Sequence, residues 1–177
     1  MTGAAASAPV RAIGLMTGTA LDGRIDAALL ETDGESITGF GAWRLQPYED
    51  TLRRRLAEAV DAAREWRWRG APPACLGPVE AAYTRACAGA VSALLTQAAL
   101  RASEVTVVGL HGQTLLHRAP AEGRTGASLQ LGDGALLARL TGIDVVASLR
   151  QNDLAAGGHG APLAPVYHAA LMRHSAV

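Results

Sequence analysis

The sequence predicts an α/β fold in which helices flank a mixed β-sheet. Two observations support this prediction. Residues 10–45 have the pattern of three strands separated by short turns, which is a β-meander. From residue 48 onward, stretches with helical periodicity alternate with short apolar strands. Because a meander pairs its strands antiparallel and helical crossovers pair them parallel, we expect both kinds of pairing in one sheet.

The meander depends on apolar strands and on turn residues. The first strand is expected over 10–16, and it ends in a turn rich in Gly and Thr. Asp22-Gly23 is a strong hairpin signal ahead of a second strand over 25–31. Residues 32–34 turn the chain again, and residues 36–45 form a third strand that alternates more clearly.

Two long helices are predicted next. In residues 48–68, apolar side chains recur three and four positions apart, at Leu52, Leu56, Ala59, Val60 and Ala63. The stretch 70–73 contains two prolines and ends this pattern. An Ala-rich helix is then expected over 79–100.

The elements after residue 100 are shorter. Strands are expected over 105–110, 128–131 and 143–147, and helices over 135–140 and from 162 to about 172, where Pro162 suits a first helical turn. Residues 115–126 are rich in Gly, Pro and Arg and are predicted to form a loop.

Composition limits the class of protein. The chain has 177 residues, of which 49% are hydrophobic and 18% charged, so one domain or a small two-part unit with a packed core is expected. The 16 basic and 16 acidic residues balance, which argues against nucleic-acid binding. All the basic residues are arginines, and this excludes a Walker phosphate loop, which requires Lys.

Sequence features also favour a cytoplasmic protein. No apolar run approaches the ~20 residues needed to cross a bilayer, and residues 1–9, predicted to be disordered, lack the basic start of a secretion signal. Cys75 and Cys87 are too few for a disulfide framework and lack metal-ligand spacing, so both are interpreted as small buried hydrophobes. No metal site is predicted.

The first segment with chemical potential is the turn at 14–23. Its glycines let backbone N–H groups approach an anion, Thr17 and Thr19 add hydroxyl donors, and Asp22 could orient a metal or a water molecule. A plain hairpin turn explains the same residues, and this alternative stays open.

The second segment is His111-Gly112-Gln113-Thr114, at the end of a buried strand. In α/β sheets ligands bind beyond the carboxyl ends of strands, so polar residues there are well placed for a sugar. The alternative is that His111 and Gln113 only satisfy hydrogen bonds of a local turn.

The third segment surrounds Asp153, which precedes the glycine pair Gly157-Gly158. This Asp could act as a general base beside a substrate that approaches the backbone closely, or it could cap a helix. The Arg- and Trp-rich run at 64–69 is interpreted as a helix end and not as a nucleic-acid patch.

Taken in order, these segments carry a resemblance. The set GLMTGTALDG, HGQT, SLQLGD, TGIDVV and DLAAGGHGAPLAP resembles the anhydro-N-acetylmuramic acid kinases, from Ile13 to about Met172. The resemblance implies an actin-like, hexokinase-like ATPase fold with two lobes and a cleft. It also implies that ATP and water convert 1,6-anhydro-N-acetylmuramic acid to N-acetylmuramic acid 6-phosphate, in bacterial cell-wall recycling.

The resemblance further implies roles for individual residues. ATP phosphates, accompanied by Mg²⁺, are expected at the hairpin residues Gly18, Thr19, Ala20, Leu21, Asp22 and Gly23, with Asp26 closing that segment. Asp153 matches the catalytic carboxylate. The sugar pocket is expected to use His111, Gln113, Thr114 and Arg150.

The chain departs from the family pattern at several positions. Ser148 stands where an Asp is usual, His159 replaces a Gln, Ala20 replaces a hydroxyl residue, and Arg24-Ile25 lengthens the hairpin segment by one residue. Motifs of the second lobe are absent, so residues 10–177 are expected to form the N-terminal lobe of a truncated enzyme, with little activity alone and with the homodimeric tendency of the family. A non-catalytic remnant that binds sugar or pairs with an intact homologue, or a related ATPase with another substrate, stays an alternative.

Overall fold

The computed structural model describes residues 8–175, so most of the segment predicted to be disordered, residues 1–7, lies outside it. The strands are β1 (Val10–Met16), β2 (Arg24–Thr32), β3 (Ile37–Pro47), β4 (Val107–Leu110), β5 (Gln113–Arg118), β6 (Ala127–Leu131) and β7 (Asp144–Val146). The helices are α1 (Asp50–Trp66), α2 (Leu76–Ala98), α3 (Gly134–Thr141), α4 (Gln151–Ala155) and α5 (Ala164–Ser175).

Five strands form one mixed sheet in the order β3-β2-β1-β4-β7. The meander β1-β2-β3 is antiparallel, whereas β4 pairs parallel with both β1 and β7. The connection from β1 to its parallel neighbour β4 runs through α1 and α2, because a parallel pair needs a long crossover. The predicted α/β fold with a mixed sheet is therefore confirmed.

The prediction of a loop over residues 115–126 is wrong in its first part. Residues Gln113–Arg118 form β5, which pairs antiparallel with β6 in a separate two-stranded ribbon. A register shift between Thr114 and Leu116 interrupts the alternation that identifies a strand from sequence. The partner strand β6 and the packing of α1 hold β5 in its extended conformation.

Helix α2 packs on one face of the sheet, and α1 packs against α2 and against β5 of the ribbon. The core joins the inward side chains of β1, β2 and β4 to both helices, through residues that include Ile13, Ile25, Leu56, Tyr83 and Val91. The expectation for the cysteines is half right, because Cys87 is buried in this core whereas Cys75 is exposed.

The other face of the sheet carries exposed apolar side chains. Met16, Trp43, Leu45 and Val146 are between 45% and 67% exposed there. Helix α5 lies near the start of β3. The Arg173 guanidinium donates to the carbonyl of Glu35, in the turn before that strand, at 2.8 Å. Within residues 8–175, none of the helices has the length and apolar character needed to span a bilayer.

Candidate active site

The predicted phosphate turn, residues 18–23, is anchored by the residue that precedes it. Thr17 directly follows β1 and is only 2% exposed, and its hydroxyl lies 3.1 Å from the hydroxyl of Tyr83 on α2. Burial raises the pKa of Tyr83, so the phenol stays protonated. The carboxyl end of β1 is therefore attached to α2 by a buried pair of neutral hydroxyls.

The rest of the turn lies at the surface. The N–H of Leu21 donates to the Gly18 carbonyl at 3.3 Å, and the Asp22 carboxylate accepts from the N–H of Arg24 at 3.1 Å. Gly23 has a φ of 84°, which favours glycine, and Leu21 also lies in the left-handed region with a φ of 50°. Thr19 and Ala20 are exposed and free to meet a ligand. A plain turn and a phosphate-binding turn both fit this geometry.

Asp26 does not belong to the turn itself. It lies within β2, opposite Met16 of β1, and its side chain is on the exposed face of the sheet. Its expected role beside the ATP phosphates is not tested by this position.

One turn of α2 binds two loops, the one that follows β1 and the one that follows β6 of the ribbon. Besides Tyr83, the Glu80 carboxylate accepts from the N–H of Gly132 at 3.0 Å, and the Thr84 hydroxyl accepts from the N–H of Asp133 at 3.0 Å. Sequence reasoning missed all three α2 residues as site components. The sequence does contain a signal for them. The three residues recur at helical spacing, and they lie on the same face of α2 as the apolar residues that predict burial.

His111 connects β1 to Arg150. Its backbone N–H donates to the Leu15 carbonyl at 3.1 Å. Its Nδ1 lies 2.8 Å from the Gly112 carbonyl and must carry the proton there, so Nε2 accepts from the Arg150 guanidinium at 3.0 Å. Burial, and then the Arg150 charge, lower the pKa of His111 below its usual value. His111 is therefore neutral at pH 7.

Gln130 is a further member of this site that the sequence did not single out. Its side-chain N–H donates to the His111 carbonyl at 2.5 Å, and the same nitrogen lies 3.4 Å from the His111 ring. Gln130 pairs across the ribbon with Thr114. Gln130 is part of the motif SLQLGD, which carries the family resemblance. The motif alone does not indicate which of its residues contributes to the site.

Several oxygens of the β5–β6 ribbon are buried without a hydrogen-bond partner. In the described part of the chain they belong to Gln113, Thr114, Ser128 and Gln130. Gln113 is fully buried, and its side-chain N–H makes only a long bond of 3.4 Å to the Thr114 carbonyl. Because buried polar atoms are nearly always paired, the Gln113 oxygen has hydrogen-bonding capacity that the local turn does not use.

Asp153 is not a helix cap, so that alternative is wrong. It lies inside α4, whose N-terminal cap is Arg150, and its carboxylate accepts from the N–H of Gly160 at 2.6 Å. A Cβ at position 158 would overlap the same carboxylate, so any larger residue there would require the Asp153 side chain to move. The Asp153 side chain is otherwise exposed, with one carboxylate oxygen free to meet water.

The structure places the three predicted segments at one edge of the molecule. His111 joins the end of β1, which carries the predicted phosphate turn, to Arg150, which begins the helix of Asp153. Burial lowers the pKa of His117 on β5, with smaller contributions from the charges of Arg150 and His159. No hydrogen bond joins residues 18–23 directly to Asp153 in the described part of the chain.

Two departures from the family pattern have visible positions. Ser148 has a φ of 56°, in the left-handed region, two residues before Arg150. His159 is exposed in the glycine loop. Across residues 8–175, no three or more His, Cys, Asp or Glu side chains are grouped closely enough to hold a metal ion.

Comparison with known proteins gives one consistent result. A family model described as anhydro-N-acetylmuramic acid kinase matches residues 10–177. Curated relatives of that name include those of Brucella anthropi (52% identical over 165 residues) and Rhizobium rhizogenes (50% over 165), each alignment covering 93% of this chain and 44% of the relative. The protein of Phenylobacterium zucineum is 45% identical over 167 residues, which are 94% of this chain and 45% of the relative. The chain thus spans less than half the length of these relatives.

Proposed function

Because this chain belongs to the anhydro-N-acetylmuramic acid kinase family, we propose that it supplies the phosphate turn, part of the sugar pocket and the general base of such a kinase. The reaction is the ATP-dependent conversion of 1,6-anhydro-N-acetylmuramic acid and water to N-acetylmuramic acid 6-phosphate. The observation that carries the proposal is the bridge at His111, which joins the end of β1 to Arg150 at the start of α4.

The phosphate turn is suited to an anion. Thr17 is held in place by Tyr83, while the residues after it expose backbone N–H groups and the Thr19 hydroxyl. Asp22 offers a carboxylate at the same turn. Mg²⁺ in phosphoryl-transfer sites is held by one or two carboxylates and the substrate phosphates, so the residues present fit Mg²⁺ bound together with ATP and do not form a metal cage of their own.

The sugar pocket is proposed at the β5–β6 ribbon. The unpartnered oxygens of Gln113, Thr114, Ser128 and Gln130 are mostly acceptors, so they call for a ligand rich in donors. The hydroxyl groups and the acetamido N–H of an amino sugar supply such donors. Arg150, fixed by His111, adds a positive charge suited to the sugar's carboxylate.

Asp153 is proposed as the base that activates water. Water attacks the anomeric carbon, its proton passes to the Asp153 carboxylate, and the bond from that carbon to O6 breaks. The released O6 then attacks the γ-phosphorus of ATP. The bond from the γ-phosphorus to the oxygen bridging it to the β-phosphate breaks, and ADP leaves with the electrons of that bond. The bond from the Gly160 N–H orients one carboxylate oxygen and leaves the other for water.

Complementation tests this proposal. The 177-residue chain is mixed with the remaining C-terminal part of the Brucella anthropi relative, and sugar phosphate is measured by mass spectrometry alongside ADP release. We expect product in the mixture and little from the chain alone, because one lobe cannot enclose the nucleotide and exclude water. A mixture that binds neither ATP nor the anhydro sugar contradicts the proposal.

The role of Asp153 has its own test in that mixture. Asp153→Asn should lower turnover by about 10²-fold or more, the range for loss of a general base. Asp144→Asn on β7 is the control, because Asp144 is also exposed and is remote from the proposed chemistry. Near-normal turnover of Asp153→Asn removes Asp153 from the mechanism.

A non-catalytic sugar-binding protein is the second candidate. The unpartnered ribbon oxygens favour it, since all of them belong to this chain and could bind sugar without ATP. Calorimetry of the chain with the anhydro sugar, with and without ATP, separates the two functions. Binding without turnover in the complemented mixture supports the second candidate. Cell-wall recycling, a cytoplasmic location and a homodimer are further proposals that follow from the family.

A further inference from the structure

An open cavity lies outside the proposed active site. It has a volume of about 440 Å³ and is lined by the end of β3, the start of α1 and the middle of α2. Leu52, Ala82 and Ala86 give it an apolar wall, while Arg55 and Arg85 add guanidinium groups. This volume lies within the range of small-molecule pockets, which are largely apolar with a few polar groups that orient the ligand.

The two arginines are held in place without neutralisation. Arg55 donates to the Pro78 carbonyl at 3.0 Å, and Arg85 donates to the Ala81 carbonyl at 3.2 Å. These carbonyls are three residues apart on α2, so both guanidinium groups are anchored within about one helical turn. Neither arginine forms an ion pair with a carboxylate in residues 8–175.

The cavity has one acidic residue, and its carboxylate is already engaged. Glu49 accepts a hydrogen bond from the Thr51 hydroxyl at 3.1 Å. With one acidic and two basic side chains in the wall, the cavity carries a positive charge. An anion entering it therefore meets hydrogen-bond donors that have no carboxylate partner.

Two buried polar atoms in the cavity wall also lack partners. They are the side-chain oxygen of Gln46 and the hydroxyl of Tyr48. Burial raises the pKa of Tyr48, and the Asp22 charge adds to this, so its hydroxyl is available as a proton donor. A ligand in the cavity that both donates and accepts would complete the hydrogen bonds of these two atoms.

Small residues on α2 make the space. Gly89 lies in the middle of the helix, and a Cβ built there meets no atom within 4 Å. A glycine in a helix interior is less favourable than alanine. Nothing in the packing around Gly89 excludes a Cβ, and the absence of a side chain there widens the cavity.

We propose that this cavity binds a small organic anion, whose carboxylate or phosphate contacts Arg55 and Arg85 and whose apolar ring covers Leu52 and the small residues of α2. Its position suggests a regulatory role, because the N–H of Tyr48 donates to the Gly23 carbonyl at 2.9 Å. A ligand beside Tyr48 thus lies one hydrogen bond from the end of the phosphate turn. The proposal does not depend on the proposed function.

The test is a titration of the ¹⁵N-labelled 177-residue chain followed by NMR. The probes are 2-naphthoate, 1-naphthyl phosphate and the neutral 2-naphthamide. We expect saturable chemical-shift changes of backbone amides in residues 46–55 and 82–89 for at least one anion. The affinity for that anion should be at least about tenfold above that for the neutral amide, because a hydrogen bond to a charged group contributes about that much to binding. The stronger of the two anions identifies the preferred acid.

Variants assign the binding to the cavity. Arg55→Gln and Arg85→Gln should each weaken anion binding by about tenfold. Arg64→Gln, which removes the same charge from an exposed position elsewhere on α1, should leave it unchanged. Gly89→Leu should fill the cavity and abolish binding, and Gly89→Ala should weaken binding while raising thermal stability, which guards against a folding defect.

Three results would overturn the proposal. They are shifts confined to the exposed sheet face around Trp43, equal affinity for 2-naphthamide and the anions, or undiminished binding by a folded Gly89→Leu chain.

Discussion

The hydroxyl of Tyr83 lies 3.1 Å from the hydroxyl of Thr17, and both side chains are buried. This pair joins the middle of the longest helix to the residue at which β1 becomes the proposed phosphate turn. The neighbouring residues Glu80 and Thr84 bind the turn at Gly132 and Asp133 in the same way. Helix α2 thereby sets the relative positions of two turns at the site.

Removal of either hydroxyl should destabilise the chain. Tyr83→Phe and Thr17→Val should each lower the free energy of unfolding by about 1–3 kcal/mol, because each removes one partner of the buried hydrogen bond between the two hydroxyls. The double variant should cost less than the sum of the two. Urea unfolding measures all three, with Tyr167→Phe on exposed α5 as the control. Strict additivity would show that the hydroxyls do not interact.

Substitution of Gly158 should disturb Asp153. Gly158→Ala places a Cβ on the Asp153 carboxylate, so that side chain must turn away and lose its bond from the Gly160 N–H, which should cost about 1 kcal/mol. Gly77→Ala on α2 is the matched control, because a Cβ there meets no atom within 4 Å and alanine should add up to about 1 kcal/mol. Thermal or urea unfolding compares them. A Gly158→Ala chain as stable as the parent would mean that the carboxylate turns away freely.

Stability should fall as the pH is lowered below about 6.5, the usual pKa of a histidine. The pKa of His111 in the folded chain is below its usual 6.5, so the unfolded chain binds more protons in this range. The contribution of neutral His111 to the free energy of unfolding is therefore fully present above pH 6.5. It is lost as the pH falls toward the lower pKa that His111 has in the folded chain. Urea unfolding at pH 7.5 and 5.5 measures the loss, and His111→Gln should reduce it.

The acidic groups with lowered pKa do not confound that window. Asp33 and Glu104 start from 3.8 and 4.5, so their contribution is lost only at lower pH. His117, whose pKa is also lowered, adds to the same loss. The exposed His168 of α5 serves as the control position. An unchanged pH dependence in His111→Gln would assign the effect to other groups.

Substitution of Gln113 should lower sugar turnover without lowering the free energy of unfolding. Its buried oxygen has no partner, so Gln113→Leu should leave the free energy of unfolding unchanged or raise it by about 1 kcal/mol. Sugar turnover in the complemented mixture should fall by about tenfold or more, because a hydrogen bond to the substrate is lost. A loss of stability with normal turnover would make Gln113 a structural residue.

The two cysteines should differ in reactivity. Burial raises the pKa of Cys87 to about 12, whereas Cys75 is exposed. Since the thiolate is the reactive form, a thiol reagent should modify one thiol per folded chain at pH 8 and two in urea. Cys75→Ser should abolish the fast reaction. Two fast thiols in the folded chain would contradict the burial of Cys87.

Much of the fold follows from local pattern. Strand β1 has the predicted bounds, and the long helices begin and end within a few residues of the prediction, because apolar spacing is a property of consecutive residues. Strand β5 could not be predicted in this way, since its conformation depends on pairing with β6 across a register shift. The candidate site residues were named by their motifs, but Tyr83, Glu80, Thr84 and Gln130 were not.

By itself the sequence determined the fold class, the family and most of the elements in their order, but not β5 or α4. Tertiary structure decided that Asp153 is bound by Gly160 and does not cap its helix, that His111 is neutral, and that α2 binds the residue before the proposed phosphate turn. The reason is distance along the chain: the Thr17–Tyr83 and His111–Arg150 bonds join residues 66 and 39 positions apart. No local periodicity encodes such pairs, because they form only when the packed sheet and helices bring them together.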